Sequence, residues 1–390
     1  MTDYIFLIFG KASSAAAQMV MLLFLASDLS AQQLSLVLAI YSLASIVASI
    51  GDLGLGTFVM RESSYGDIGR ANQAIYTANG LAVVMGILGT SFLVIASAWL
   101  PALLPTSPLL LWAATERATE TRCLRLIAET KILRVSLITA GRRLGALLIF
   151  FGCLFFLDTA WSFSVALLTA SAAAFVIVAY FTPIPSTTRR NYGLIGESIP
   201  YMLSGVSGQL RNLDVPVITM FLSAPIAAAY GLGSRLSSPF MLVFSSMSNI
   251  ILTRARDMPR HKLMLYLTSL VAGAVVMSVC GLFLLPVITS VLSTFVEWIT
   301  PQYSLVIVLV ACSYLFAGTG IIFGSVCVAH GLQRELSRVN LITVVVSLGL
   351  IATVSLIFGF GWLAACASLT CYATQLVTLG SLIWKRTQGR

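Results

Sequence analysis

Thr115-Glu116-Arg117-Ala118-Thr119-Glu120-Thr121-Arg122-Cys123-Leu124-Arg125 puts five charged side chains into eleven residues of an otherwise apolar chain. Hydropathy alone reads this stretch as a loop. Its surroundings argue for a membrane-spanning helix. On both sides, apolar spans of about 20 residues alternate with short polar connections. Lys and Arg fall only in every second connection. Ser27–Gln33, Pro101–Ser107, Leu157–Ala160, Ser223–Ala227, Glu297–Tyr303 and Phe358–Gly361 carry none. The intervening connections hold Arg61 and Arg70; Lys131 and Arg134; Arg189 and Arg190; Arg254, Arg256, Arg260 and Lys262; Arg334 and Arg338. The tail adds Lys385, Arg386 and Arg390. Basic connections stay cytoplasmic. If residues 108–130 did not cross, every later basic connection would lie outside. One polar helix lining a cavity is the smaller violation.

Composition points the same way. Hydrophobic residues make up 58% of the 390-residue chain and charged residues only 9%, against about 25% charged in soluble domains. Mean hydropathy is +0.96. So few charges cannot cover an aqueous surface, so the bulk faces lipid or itself. The net charge of +9 sits at cytoplasmic span ends, where topology accounts for it, and does not argue for nucleic acid. The seven Cys form no CxxC pair, and His261 and His330 sit at span ends. No metal site or disulfide framework is expected, and no cofactor. Asp3 and Lys11 make residues 4–26 a first span rather than a cleavable leader.

The pattern predicts an all-α polytopic membrane protein of about twelve spans: 4–26, 34–55, 74–100, 108–130, 136–157, 161–182, 198–222, 227–251, 263–293, 303–328, 338–358 and 362–384. Each is long enough to cross about 30 Å of hydrocarbon, and both termini fall on the cytoplasmic side. Pro183, Pro185, Arg189 and Arg190 mark a linker over 183–193. It separates an N-terminal six-helix bundle, 1–182, from a C-terminal one, 194–390. Tyr41-Ser-Leu-Ala-Ser45 and Tyr230-Gly-Leu-Gly-Ser234 form a faint echo between the halves. Parallel six-helix repeats are the layout of transporters that rock about a central cavity. The largest outer connection is too short for a folded domain, so the protein acts within or across the bilayer.

Ionisable residues inside spans are costly and usually mark a pathway. Lys11 either snorkels to the headgroups or points into a lumen. Arg211 and Asp214, one helical turn apart, form either a structural pair or a substrate contact. Arg235 lies about ten residues into its span without an acidic residue within a turn. Tyr230, Ser234, Ser237 and Ser238 extend a polar stripe around it. That face suits an anionic ligand, the alternative being a pair with Asp214 or Glu116. Glu116 and Arg117 are deep enough to line a cavity or to neutralise each other within the bundle. Arg142 and Arg143 are expected at the cytoplasmic end of their span. Asp52, in Ile50-Gly-Asp-Leu-Gly-Leu-Gly56, reads as a structural corner or a hinge; no strand precedes the glycines and no Lys follows them, so it is not a phosphate loop.

Gly51-Asp-Leu-Gly-Leu-Gly-Thr-Phe-Val-Met-Arg-Glu62 resembles the segment after the second span of Wzx-type polysaccharide flippases. These belong to the multidrug/oligosaccharidyl-lipid/polysaccharide (MOP) transporter superfamily. Pro200, Leu210-Arg-Asn-Leu-Asp214 and Ala229-Tyr-Gly-Leu232 through Ser234 are similar to the same family. So are Ala329-His-Gly-Leu-Gln-Arg334 with Asn340, and Phe358-Gly-Phe-Gly-Trp-Leu-Ala364. The resemblance covers the whole chain in span layout. It implies two six-helix bundles around a cationic central cavity. It further implies alternating access that moves an undecaprenyl-pyrophosphate-linked oligosaccharide across a bacterial inner membrane. Carried over by position, Arg211, Asp214 and Arg235 match polar positions of the second bundle, and Lys11 matches a basic one of the first. The charged fourth span departs from the pattern.

Arg forks suit phosphate, and Tyr and Ser suit sugar hydroxyls. Flipping needs no covalent chemistry, so no enzyme activity is expected. The expected substrate-binding set is Lys11, Glu116, Arg117, Arg211, Asp214, Tyr230, Ser234 and Arg235. Expected partners are the lipid-linked oligosaccharide, membrane lipids, a coupling proton or sodium ion, and glycan polymerase machinery. A drug/cation antiporter of the same superfamily would favour an acidic cavity. A membrane glycosyltransferase or polymerase would need sizeable outer loops.

Overall fold

The computed structural model describes residues 2–237, 240–241, 243–245, 247–248, 251 and 258–388, without the side chains of 2–9, 11, 200, 203–208 and 388. Among these the chain is helical, with no strand, as its patterning predicts. The helices are α1 (Thr2–Asp28), α2 (Ala31–Gly51), α3 (Leu55–Ser64), α4 (Ile68–Ala96), α5 (Pro108–Ala128), α6 (Ile132–Cys153), α7 (Thr159–Phe181) and α8 (Gly193–Leu210). They continue with α9 (Asp214–Phe221), α10 (Ala224–Leu236), α11 (Arg260–Phe283), α12 (Leu285–Phe295), α13 (Pro301–Ala329), α14 (Gln333–Phe358) and α15 (Gly361–Gln388). Eight of the described helices are long and apolar enough to cross a membrane: α2, α4, α6, α7, α11, α13, α14 and α15. The charged stretch that decided the parity lies inside the continuous helix α5, with Pro108 in its first turn, where a missing N–H costs nothing.

The chain divides into two compact units. The first comprises Met1–Leu29 and Ala39–Asn212; the second comprises Ser30–Leu38 and Leu213–Arg390. Helix α2 therefore starts in one unit and ends in the other, and α8 counts with the first.

In the first unit α5 is the hub, packing on α3, α4, α6 and α7. Its buried side includes Leu109, Trp112, Ala118, Thr121, Arg122 and Leu126. In the second unit α13 is the hub and packs on α10, α11, α12, α14 and α15. Here a Cβ on Gly233 of α10 would stand 3.0 Å from the Cα of Ile307, so only glycine permits the backbones to meet this closely.

Three expected spans are interrupted. The span expected over 198–222 breaks into α8, a 3-10 turn at Arg211–Leu213 and α9. Arg211 and Asp214 thus flank a tight turn instead of sharing one α-helical face. The span expected over 227–251 gives a helix that ends at Leu236, where Ser237 caps it through its N–H to Gly233 O. The described residues between 240 and 251 are helical again. The span expected over 263–293 changes helix at Leu284, just before Pro286.

The corner after α2 builds an extra helix that apolar patterning does not reveal. Leu53 and Gly54 both take left-handed φ, 50° and 79°, and α3 starts immediately after. Gly54 is pressed onto α8: a Cβ there would lie 2.5 Å from Met202 N and from Ser198 O. The Ser198 hydroxyl donates to Leu53 O at 2.7 Å. Arg61 donates to the Tyr201 hydroxyl at 2.8 Å, and Arg70 pairs with Glu197 at 2.5 Å.

Candidate functional site

The buried charges of the first unit converge on α5. Asp52 closes α2 with its side chain 1% exposed. Its Oδ2 accepts the Gly56 N–H at 3.0 Å, filling one of the four free donors at the start of α3. The same oxygen pairs with Arg117 Nη2 at 2.8 Å. Its Oδ1 accepts the Thr121 hydroxyl at 3.1 Å. A carboxylate with three donors around it is stable where an isolated one would cost several kcal/mol. Arg117 also reaches Glu120 at 3.3 Å.

One turn earlier on α5, Glu116 receives two guanidinium groups from α6. Arg142 Nη2 stands 3.3 Å from its Oε1, and Arg143 Nη2 bonds the same oxygen. Arg142 also pairs with Glu120 at 3.9 Å. Arg142 and Arg143 therefore do not mark a headgroup-facing helix end, as the sequence suggests. They are buried ion-pair partners inside the unit. They sit well inside their span, six residues from its expected start, where a headgroup contact already demands a long reach. The cluster holds three carboxylates, Asp52, Glu116 and Glu120, against three guanidinium groups, Arg117, Arg142 and Arg143. It neutralises itself.

The remaining cations on α5 are structural. Arg122 donates to Thr182 O at 2.8 Å and lies 5.2 Å over the Phe175 ring. Arg125 pairs with Glu129 at 2.8 Å and donates to Asn72 Oδ1 at 2.6 Å.

A cavity of about 130 Å³ opens beside this cluster. Ser45, Ala48 and Ser49 of α2, Trp112, Ala113, Glu116, Arg117 and Glu120 of α5, and Gln209 of α8 line it. Its exposed lining is mostly polar. Behind the Asp52–Arg117 pair lies a second void of about 10 Å³, room for about one water. Trp112 is stacked on Tyr41 with ring centroids 4.6 Å apart, and the Arg143 guanidinium lies 5.7 Å from the Trp112 ring centre. Gln18 Nε2 donates to the Tyr41 hydroxyl at 2.9 Å.

Of the residues singled out in the sequence, Glu116 and Arg117 meet at this cavity. Asp214, Tyr230, Ser234 and Arg235 belong to the second unit. Asp214 is buried at the start of α9, with its Oδ1 accepting the Val215 N–H at 2.7 Å. The fully buried Tyr230 donates its hydroxyl to Asp214 Oδ2 at 3.1 Å. Ser234 is buried and Arg235 half-buried, in the last turns of α10. Arg211 is half-buried after α8. Lys11 lies on α1, and its side chain is outside the described residues, as is Ser238. Nothing in the sequence connects Trp112, Gln209, Ser45 or Ser49 with a site. They are ordinary members of apolar helices until the fold gathers them.

No family model matches the sequence, and no curated protein does. Solved structures do match in fold. A multidrug resistance MATE family transporter of the MOP superfamily, in an inward-facing conformation, superposes with a TM-score of 0.70 at 13% identity, over 97% of this chain and 96% of the other. The lipid II flippase MurJ, in an inward closed conformation, gives 0.69 at 12% identity, over 96% and 86%. A MOP superfamily transporter from Pyrococcus furiosus, described as having a binding pocket of reversed polarity, gives 0.62 at 12% over 99% and 96%. Across nearly its whole length, the chain has the fold of MOP superfamily transporters.

Proposed function

We propose that the protein is a transporter that moves a polyprenyl-pyrophosphate-linked oligosaccharide across a bacterial inner membrane by alternating access. The observation that carries this reading is the charge balance beside the first-unit cavity. Each carboxylate there already has at least one guanidinium partner. A carrier of lipophilic cations needs a carboxylate free to receive positive charge. This cavity offers paired charges, two serines, an amide and an indole instead. Such a lining exchanges hydrogen bonds with hydroxyl groups and has no net preference for a cation. The likeness in fold to a lipid II flippase supports the same reading.

In this reading Lys11, Arg211 and Arg235 supply cationic groups to the pyrophosphate, while Tyr230, Ser234 and Asp214 shape the second unit around α10. The polyprenyl tail stays in lipid. Both termini lie in the cytoplasm, a proton or sodium ion drives the cycle, and glycan polymerase machinery takes the product. The second reading is a multidrug antiporter, favoured by the likeness to MATE family transporters. Proteoliposomes separate the two. The flippase reading expects a fluorescent polyprenyl-pyrophosphate oligosaccharide to become accessible in the opposite leaflet only when the protein is present. Uptake of tetraphenylphosphonium without any movement of the lipid-linked glycan would replace it with the antiporter.

A further inference from the structure

We propose that Arg190 holds the phosphate of an anionic phospholipid against α4, with the chains of the lipid lying along the apolar face of that helix. The site belongs to the first unit alone and does not depend on what the protein carries.

The starting point is a guanidinium group that is exposed, fixed in place and unpaired. Arg190 lies in the linker over 183–193 and is exposed. Among the described residues it makes no ion pair and no hydrogen bond. The acidic side chains of α3 and α8, Glu62 and Glu197, are taken by Arg70 at 3.5 and 2.5 Å. Yet the group is not loose. Its guanidinium carbon stands 5.3 Å from the Tyr76 ring centre. It also rests on α4 at Gly80, where a Cβ would come within 2.8 Å of that carbon and of Nε. The linker is tied down beside it. The Asn191 N–H donates to Thr77 Oγ1 at 3.1 Å, and Asn191 Nδ2 donates to Gln73 Oε1 at 3.3 Å. Leu194 is buried against α3 and α4. A cation held at one place on a membrane helix needs a counter-ion, and the chain provides none.

Position and neighbours select a lipid. Beyond Gly80, α4 presents Val83, Val84, Ile87 and Leu88, each at least half exposed. They stand at i+3, i+4, i+7 and i+8 from Gly80, hence on its side of the helix. From Gly80 to Thr90 the helix rises about 15 Å, half the thickness of the hydrocarbon core. A lipid with its phosphate at Arg190 therefore lays its chains on this face and ends them near the middle of the bilayer. The guanidinium fork matches two phosphate oxygens. An anionic headgroup fits better than a zwitterionic one. Glu62 and Glu197 are already paired and cannot receive an ammonium group, and Arg189 adds a second exposed cation. A free phosphate ion would gain the guanidinium but none of the apolar contact.

The test uses the full chain purified in detergent, titrated with phosphatidylglycerol or phosphatidylcholine of the same chains and read by native mass spectrometry. The wild type should bind one phosphatidylglycerol more tightly than phosphatidylcholine. Arg190→Gln should weaken that adduct about tenfold, the equivalent of one charge-assisted contact, and bring the two lipids level. A merely structural role for Arg190 would leave the preference between lipids intact. Gly80→Ala keeps every charge but places a methyl group where the guanidinium rests, and should weaken the adduct as well. The atoms it displaces belong to the end of a flexible side chain, so α4 tolerates it. Arg189→Gln removes the same charge one residue away and should do much less. The site is overturned if Arg190→Gln binds phosphatidylglycerol like the wild type, or if Arg189→Gln loses as much, which would mark a general attraction to positive charge. It is also overturned if phosphatidylcholine binds equally well to the wild type, or if inorganic phosphate displaces the lipid. Farnesyl pyrophosphate binding far more tightly than phosphatidylglycerol would replace the phospholipid with a polyprenyl pyrophosphate.

Discussion

Arg117 Nη2 stands 2.8 Å from Asp52 Oδ2, joining the hub helix α5 to the corner where α2 turns into α3. The same carboxylate oxygen holds the first free N–H of α3, that of Gly56, so one group ties three helices together. Arg117 also borders the cavity. The lock at the corner and the wall of the cavity therefore share a side chain.

Removing one partner of this pair should leave the other charge buried and unpaired. Asp52→Ala or Arg117→Ala should each cost about 3–5 kcal/mol, the range for broken buried pairs. The double variant Asp52→Asn/Arg117→Gln, with no charge left, should recover part of that loss. Reversible unfolding in mixed micelles measures all three together with Asp52→Asn and Arg117→Gln alone. Strict additivity between those two substitutions would show that the 2.8 Å contact contributes nothing to stability.

Glu116 and Glu120 should differ sharply when neutralised. Glu116 is 12% exposed and receives both α6 guanidinium groups, whereas the Glu120 side chain is 45% exposed. Glu116→Gln leaves Arg142 and Arg143 beside a neutral amide inside the unit, so membrane-inserted protein should fall several-fold. Glu120→Gln should change abundance little, because water solvates that group. Quantitative immunoblotting of membranes compares the two, and equal losses would contradict this assignment.

Two glycines with similar φ separate strain from packing. Gly54 and Gly66 have φ of 79° and 82°. A Cβ at Gly66 meets nothing within 4 Å, whereas at Gly54 it would strike α8. Gly66→Ala should cost only the about 1–2 kcal/mol of a left-handed L residue. Gly54→Ala should cost clearly more and should loosen α8 from α3. Thermal unfolding ranks them, and hydrogen exchange on residues 193–210 reports the loosening.

Topology is open to direct labelling. With all seven native cysteines replaced, a single Cys at Met258 should react with an impermeant maleimide only after the cytoplasmic face is opened. A Cys at Gln302 should react in intact cells. Reaction at position 258 from outside would overturn the orientation read from the basic connections.

Much of the architecture was legible in the chain itself, and the reasons differ from element to element. Lipid admits only helices whose backbone groups are satisfied internally, so long apolar runs such as 301–329 could hardly become anything else. The alternation of Lys and Arg made residues 115–125 part of a helix despite their charges, and α5 runs unbroken through them. Apolar periodicity does not record where a helix stops inside the membrane. The turn at Arg211–Leu213 and the end of α10 at Leu236 depend on local backbone geometry, which an apolar composition leaves open.

The sequence by itself determined the helical class, the membrane-spanning character and the presence of charges that must find partners. Burial in a medium without water makes those outcomes obligatory for any fold. Only the tertiary structure decided which partners they found. Asp52 and Arg117 are 65 residues apart and Arg143 and Glu116 are 27 apart. Coulomb attraction carries no memory of chain separation, so any of several carboxylates could have met any of several guanidinium groups. The packing of α3 and α6 against α5 selected among them.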